Sequence, residues 1–301
     1  MPSREVFALS NYLRAELKDR TISDARHTVS LTDFLQQTCL IGRPDDLSAR
    51  SVLLAVSDQL ISAVAMMEID GMASRLLVCP PDLETEHVRA LIEGAGIDAI
   101  VTDQPLRWSG VGVYQVAAVR LPVWSPARAR ARRTTEWLTL TSHVSDKLQI
   151  VCHTSEDLCG EVAAAAPGTP PVWATFSDVR CIEGLRTLLC AGVGGGSMVL
   201  SEPGEPIADH LTRFGARGVT HVSGTTSTWR TLLMSGVIGG FAPRHVRLSG
   251  GIADQALLDG LKRAFPDASI DHADDATKAG LGFDWPSTPQ APGAHASSVI
   301  H

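Results

Sequence analysis

Residues 51–79 read SVLLAVSDQLISAVAMMEIDGMASRLLVC, and this stretch decides the fold class. Val52 to Val56 is an apolar run long enough for a strand and too short for a helix. Apolar residues then recur at helical spacing until Gly71. A second short run, Leu76–Val78, stops at Pro80-Pro81. Residues 83–103, LETEHVRALIEGAGIDAIVTD, repeat the pattern with a helix ending near Gly94–Gly96 and a strand ending at Asp103. Alternating short apolar runs and amphipathic helices imply βαβ units, so an α/β fold with a parallel sheet and helices on both faces is expected.

The same texture resumes beyond residue 136. Strand-like segments are EWLTLTS, LQIVCHT, PPVWATFSDVR, GGGSMVLSE, GVTHVSGT, HVRLSGG and DASIDHADD. Helices are expected over 182–191, 206–215, 226–235 and from Asp254 to Phe265. Upstream, residues 5–20 and 31–40 have the pattern of helical starts, the second with Ser30 as cap and Asp33 three residues on. Residues 1–50 therefore read as a helical lead-in to an α/β body over 51–284. Residues 121–135, LPVWSPARARARRTT, break the pattern with two prolines and with Arg128, Arg130, Arg132 and Arg133. In an acidic chain that run is a solvated connector between two subdomains rather than a polyanion patch. Residues 285–301, rich in Pro, Ala and Ser and without periodicity, read as a disordered tail.

Composition narrows the function. The chain has 301 residues, enough for one large domain or two ordinary ones without disulfides or a structural metal. Its 26 Lys+Arg against 33 Asp+Glu give a net charge of −7, which argues against a nucleic-acid surface. No run approaches the ~18 apolar residues of a membrane span, and the charged N-terminal segment does not read as a signal peptide. The six cysteines show neither CxxC pairs nor zinc spacing, so no metal site is expected, and the address expected is cytoplasmic. Basic residues are almost all Arg: the lysines are Lys18, Lys147, Lys262 and Lys278.

Three Gly/Ser/Thr-rich turns follow expected strands: Thr141–Ser145, Gly194–Ser197 and Ser249-Gly250-Gly251. In an open α/β sheet, loops beyond the strand C-termini gather along one crevice, where a nucleotide or small molecule binds. His153 beside Cys152 is no nucleophilic pair, because neighbours on a strand face opposite ways.

The order of these segments resembles the adenylate-forming superfamily, which comprises acyl-CoA synthetases, adenylation domains and luciferases. The stretches that carry the likeness are EWLTLTS with VCHT, then VWATFSDVR, AGVGGGSMVLSE, GVTHVSGTTSTWR and VRLSGGIADQALLDGLKRAFPDASIDHADDATKAG, together spanning roughly residues 50–284. The resemblance implies the layered parallel-sheet subdomains of the superfamily's N-terminal domain. It also implies ATP-dependent activation of a small carboxylic acid to an acyl-adenylate, with transfer to a thiol such as coenzyme A. Cofactors implied are ATP or AMP, Mg²⁺ and CoA.

Carried over residue by residue, the motifs are incomplete. The phosphate-loop remnant is Thr141, Ser142, Ser145 and Lys147; His143 and Asp146 fill glycine positions, and Gln149 stands where a lysine is expected. The adenine and Mg²⁺ remnant is Gly250, Gly251, His272, Asp274, Thr277 and Lys278. There Asp274 replaces an aromatic residue and Lys278 replaces the metal-holding Glu, which inverts the charge and removes a ligand. The acyl pocket implied is Trp173, Phe176, His221, Gly224 and Thr225, with His221 placed to reach a carboxylate from a strand end. Only 23 residues follow Lys278 and none is lysine, so the mobile C-terminal lid with its catalytic lysine is expected to be absent. No residue here is assigned as catalytic.

Three readings follow: an impaired or inactive ligase-like protein, a non-catalytic acyl- or nucleotide-binding partner acting as a homo- or heterodimer, or a frameshifted remnant whose tail after Phe283 loses the family's character.

Overall fold

The computed structural model describes residues 19–34, 37–41, 44–79, 85–108, 112–124, 133–142, 148–159, 170–238 and 240–272. Fourteen strands are found among them: β1 (Thr21–Ser23), β2 (Thr28–Ser30), β3 (Gln37–Ile41), β4 (Ser51–Ala55), β5 (Arg75–Val78), β6 (Ala99–Thr102), β7 (Tyr114–Trp124), β8 (Glu136–Ser142), β9 (Leu148–His153), β10 (Val172–Thr175), β11 (Ser197–Val199), β12 (His221–Thr225), β13 (His245–Ser249) and β14 (Ser269–His272). The α-helices are α1 (Leu31–Phe34), α2 (Gln59–Ile69), α3 (Thr85–Gly94), α4 (Ser155–Cys159), α5 (Ile182–Val193), α6 (Ile207–Ala216), α7 (Thr226–Ser235) and α8 (Gln255–Ala264).

The strands form two seven-stranded sheets. The first has the order β3-β7-β6-β4-β5-β8-β9 and the second β14-β13-β12-β10-β11-β1-β2. Pairing is parallel except at β3–β7, β8–β9 and β1–β2. The α/β class and the mostly parallel sheets expected from residues 51–103 are therefore observed.

Hydrophobicity explains the layers. Every residue of α2, QLISAVAMMEI, is buried, as expected for a helix that is apolar all round. It lies with α5 between the sheets, packing on Val52, Leu54, Leu76 and Val101 of one and Ile22 and Met198 of the other. Its one charged residue, Glu68, is held by the Cys39 backbone N–H at 3.1 Å and by the Thr38 hydroxyl. The outer helices are amphipathic: α3 covers Leu53, Leu77 and Ile100 of the first sheet, and α6, α7 and α8 cover Val222, Val246 and Leu248 of the second.

Two expectations differ from the structure. Residues 31–40 hold one helical turn, because only Leu31 and Phe34 are spaced for a buried helical face. Thr38, Cys39 and Leu40 are buried in strand β3 against β7. The connector expected from residue 121 begins later, since Leu121 to Trp124 belong to β7. Pro122 is tolerated there because the β3–β7 register shifts between Thr38 and Leu40. Residues 125–132 and 273–301 lie outside the described residues, as do residues 5–18 of the helix expected over 5–20; Asp19 and Arg20, at its expected end, are not helical. No helix among the described residues is long and apolar enough to cross a membrane.

Candidate active-site crevice

The candidate site is the edge of the second sheet where β10, β12 and β13, paired in parallel, bring their C-terminal ends side by side. Thr225 closes β12 and caps α7, its hydroxyl accepting the Thr228 N–H at 3.1 Å. Past Ser249 at the end of β13, the chain turns through Gly250 and Gly251 at φ +59° and +76°, the left-handed region that glycine occupies without steric cost. This turn is pinned from both sides. The Thr226 hydroxyl donates to the Gly250 carbonyl at 2.6 Å, and the His272 Nε2 lies 3.0 Å from the Gly251 carbonyl. A Cβ on Gly251 would meet the Thr226 Oγ1 at 3.1 Å, so glycine there leaves room for the hydroxyl that pins the turn.

Register divides the second sheet into two faces. Trp173, His221, His245 and Ser269 form one row across β10, β12, β13 and β14, followed two residues on by Thr175, Ser223, Arg247 and Asp271. This face is polar and looks toward α5. Between these rows lie Ala174, Val222, Val246 and Ile270, then Gly224 and Leu248, which face the apolar core under α6–α8.

That division splits the expected acyl pocket. Trp173, His221 and Thr225 stand on the polar face. Phe176 and Gly224 do not: Phe176 packs edge-on against Trp229 at 5.6 Å, and a Cβ on Gly224 would touch both rings. His221 also begins β12 instead of ending it, at the opposite end of the strand from the glycine turn. Its ring stacks on Trp173 at 4.6 Å and its Nδ1 bonds the Thr220 hydroxyl at 2.8 Å. Burial, with His245 and Arg244 nearby, lowers the His221 pKa to about 4, so the ring is neutral at pH 7. Burial, opposed by Asp271 and aided by Arg247, lowers that of His245 as well.

The remaining expected residues are placed as follows. Thr141 and Ser142 end β8, and Ser142 pairs with Leu148 in an antiparallel hairpin. Ser145, Lys147, Asp274, Thr277 and Lys278 lie outside the described residues. Gly194–Gly196 lead into β11 and do not follow a strand, so they are not part of the crevice. A Cβ on Gly196 would strike the Pro171 carbonyl at 2.4 Å, which accounts for that glycine by packing. Cys152 pairs in register with Leu138, while the His153 Nε2 bonds the Thr139 hydroxyl at 2.9 Å.

Two features escaped the sequence reading. One is Arg247, hidden inside an apolar strand pattern. The other is a polar basin of about 230 Å³ beyond β1 and β4, lined by Asp24, Arg26, His27, Asp58, Arg180 and Glu202. Arg180 there spans the two sheets, donating to Val56 O and Ser57 O at 3.1 and 2.7 Å and gripping Asp178 with two further bonds. Among the described residues no cluster of three or more His, Cys, Asp or Glu is placed to hold a metal.

No family model and no curated protein matches the sequence. Solved structures do match by shape. The N-terminal subdomain of Klebsiella oxytoca NpsA in complex with 3-hydroxybenzoyl-AMSN superposes with a TM-score of 0.67 at 13% identity, covering 88% of this chain and 70% of that one. Bacillus subtilis o-succinylbenzoate CoA synthetase (MenE), bound with its product analogue OSB-NCoA, gives 0.67 at 15% identity, covering 92% of this chain and 60% of MenE. VinN in complex with L-aspartate gives 0.61 at 14%, covering 89% and 75%. At these scores and identities the likeness is one of fold: the chain, with its two mostly parallel sheets, shares the fold of the NpsA N-terminal subdomain and of MenE.

Proposed function

We propose that this protein binds a small carboxylic acid and an adenine nucleotide at the C-terminal ends of β10, β12 and β13. By kinship of fold its reaction is ATP-dependent activation of that acid to an acyl-adenylate, with a thiol such as coenzyme A as acceptor. Its unaided turnover is weak or nil. The observation that carries this reading is the Ser249-Gly250-Gly251 turn, held at positive φ by Thr226 and His272 at the strand end where an open α/β sheet places its ligand. The similar folds of NpsA, MenE and VinN, whose structures hold 3-hydroxybenzoyl-AMSN, the product analogue OSB-NCoA and L-aspartate, support the ligand class.

Weak turnover is argued from charge. Adenylation develops negative charge on phosphate, and each preorganised donor facing it contributes roughly 10²–10³ in rate. Here His143 and Asp146 fill glycine positions of the phosphate loop, Gln149 replaces its lysine, and Lys278 replaces a metal-holding Glu. That ammonium favours a second reading as well, a nucleotide- or acyl-binding partner of another enzyme without its own Mg²⁺ chemistry.

Calorimetric titration with AMP and with Mg-ATP, paired with an assay of acid-dependent pyrophosphate release, separates these readings. AMP binding with little or no pyrophosphate release is expected. Efficient release would overturn the impairment, and failure to bind either nucleotide would overturn the nucleotide site.

A further inference from the structure

His210 lies on α6 with its side chain 9% exposed, and one atom of its ring meets two partners with opposite demands. The Glu202 backbone N–H donates to Nε2 at 3.1 Å, and a Glu205 carboxylate oxygen lies 3.0 Å from the same nitrogen. The first contact needs a lone pair on Nε2; the second needs a proton there. Both partners belong to the turn that joins β11 to α6. The protonation of one nitrogen therefore decides which part of that turn the helix holds.

The rest of the cluster is fixed. Arg213, one helical turn on, grips Glu205 through Nε at 3.0 Å and a terminal nitrogen at 2.7 Å, and donates to Leu200 O at 3.0 Å. Burial raises the Glu205 pKa, but the Arg213 hydrogen bond and the charges of His210 and Arg213 outweigh it and keep the carboxylate ionised. The His210 ring is wedged edge-on against Phe176 at 5.9 Å and tilted on Phe214 at 5.3 Å. The charged groups it faces are Glu205 of the turn and Arg213 of its own helix. Burial lowers the His210 pKa, Glu205 raises it and Arg213 lowers it, with a balance below the ordinary 6.5. At pH 7 the ring is thus neutral, and with its proton on Nδ1 it accepts from Glu202. Glu202 in turn walls the polar basin described above, where its carboxylate stands 3.8 Å from Arg26.

We infer that His210 is an acid-sensitive latch on the β11–α6 turn. Neutral, it holds the Glu202 backbone and with it one wall of the basin. On taking up a proton from solvent at Nε2, it donates to Glu205 and lets the Glu202 N–H go. The latch is independent of the acid and nucleotide sites proposed above.

The test is nuclear magnetic resonance on the full chain. At pH 7.5 the nitrogen shifts of the His210 ring are expected to place its proton on Nδ1; a proton on Nε2 overturns the latch. Exchange of the Glu202 amide is then followed from pH 7.5 to pH 4 and divided by the intrinsic rate of an unstructured amide. Below the His210 titration, protection should fall about tenfold for each pH unit, as the neutral fraction does. The Leu200 amide, bonded to Ser23 O, is the reference and should not share the fall. His210→Gln offers Glu202 an oxygen and Glu205 an N–H at every pH, so its protection should stay level. Glu205→Gln removes the charge that favours the protonated ring, and the fall should move to lower pH. Level protection in the wild type down to pH 4, or an equal fall in His210→Gln, overturns the latch. Should His210→Gln not fold, Glu205→Gln decides, and a fall at unchanged pH overturns it.

Discussion

The indole of Trp173 and the imidazole of His221 stack with centroids 4.6 Å apart across two parallel strands, and His245 continues the stack at 5.3 Å from His221. Burial excludes the charged form of His221, whose pKa falls to about 4 from an ordinary 6.5. A histidine depressed on folding binds fewer protons in the native state than in the unfolded one between those two values. Its stabilising contribution is therefore complete above pH 6.5 and is lost as pH falls toward 4. We expect the melting temperature to drop over that window, with His221 contributing on the order of 1 kcal/mol, well under the full shift because solvent screens a half-exposed ring. His221→Phe, which stacks but cannot titrate, should flatten the curve. Melting curves of the two proteins that fall in parallel from pH 7 to pH 4 would show that the stack is not the source.

Arg180 is the clasp between the sheets. Its side chain is 4% exposed and its partner Asp178 15%, and its two backbone acceptors, Val56 O and Ser57 O, directly follow strand β4 of the other sheet. Arg180→Met leaves a poorly solvated carboxylate without its cation and the Ser57 carbonyl without the guanidinium, while Val56 O keeps the Ser62 hydroxyl and Asp178 keeps the backbone N–H of residue 180, at an expected cost of about 3–5 kcal/mol in urea unfolding. Removing both charges, Arg180→Met with Asp178→Asn, should recover part of that loss. A double variant no more stable than the single one would mean that packing, not the uncompensated charge, sets the cost.

Periodicity made most of this fold legible. Residues 226–235 and 254–265 read as helices because Leu232, Leu257 and Leu261 fall on buried faces, and α7 and α8 are found there. What stayed illegible was register. Nothing in the string GVTHVSGT tells which alternate residues face α5 and which face the core, so Gly224 and His221 looked like one pocket although the pleat sends them apart. Nor does it tell which end of a strand a residue occupies, and so His221 was expected at the ligand-facing end. Short β1 and β3 were missed for another reason: three to five residues carry too little alternation, and their pairing partners lie far along the chain, β1 with β11 and β3 with β7.

Gly184 shows how tightly α5 seats on the polar side. A Cβ there would fall 2.2 Å from the Asp178 carbonyl oxygen and 2.7 Å from the Val179 Cα, backbone that cannot swing aside as a side chain would. Gly184→Ala should cost about 3 kcal/mol and disturb the Arg180 clasp built on the same turn. Gly94, at the end of α3 with open space around its Cα, is the control, and Gly94→Ala should change stability by less than about 1 kcal/mol. Equal losses in chemical denaturation would place the cost in helix propensity and not in the contact.

Gly251→Ala separates the strain of the turn from its use. Alanine at φ +76° costs about 1–2 kcal/mol anywhere in the chain, and here its Cβ also presses on the Thr226 Oγ1 that holds Gly250. Gly204 has the same geometry, φ +77°, in open space and outside the β13 turn. Both substitutions should lower the melting temperature by a few degrees. Gly251→Ala alone should weaken AMP binding, by about tenfold or more, because the methyl group displaces the Thr226 hydroxyl that holds the Gly250 carbonyl in the turn. Undiminished AMP affinity in a folded Gly251→Ala protein would move the nucleotide away from β13.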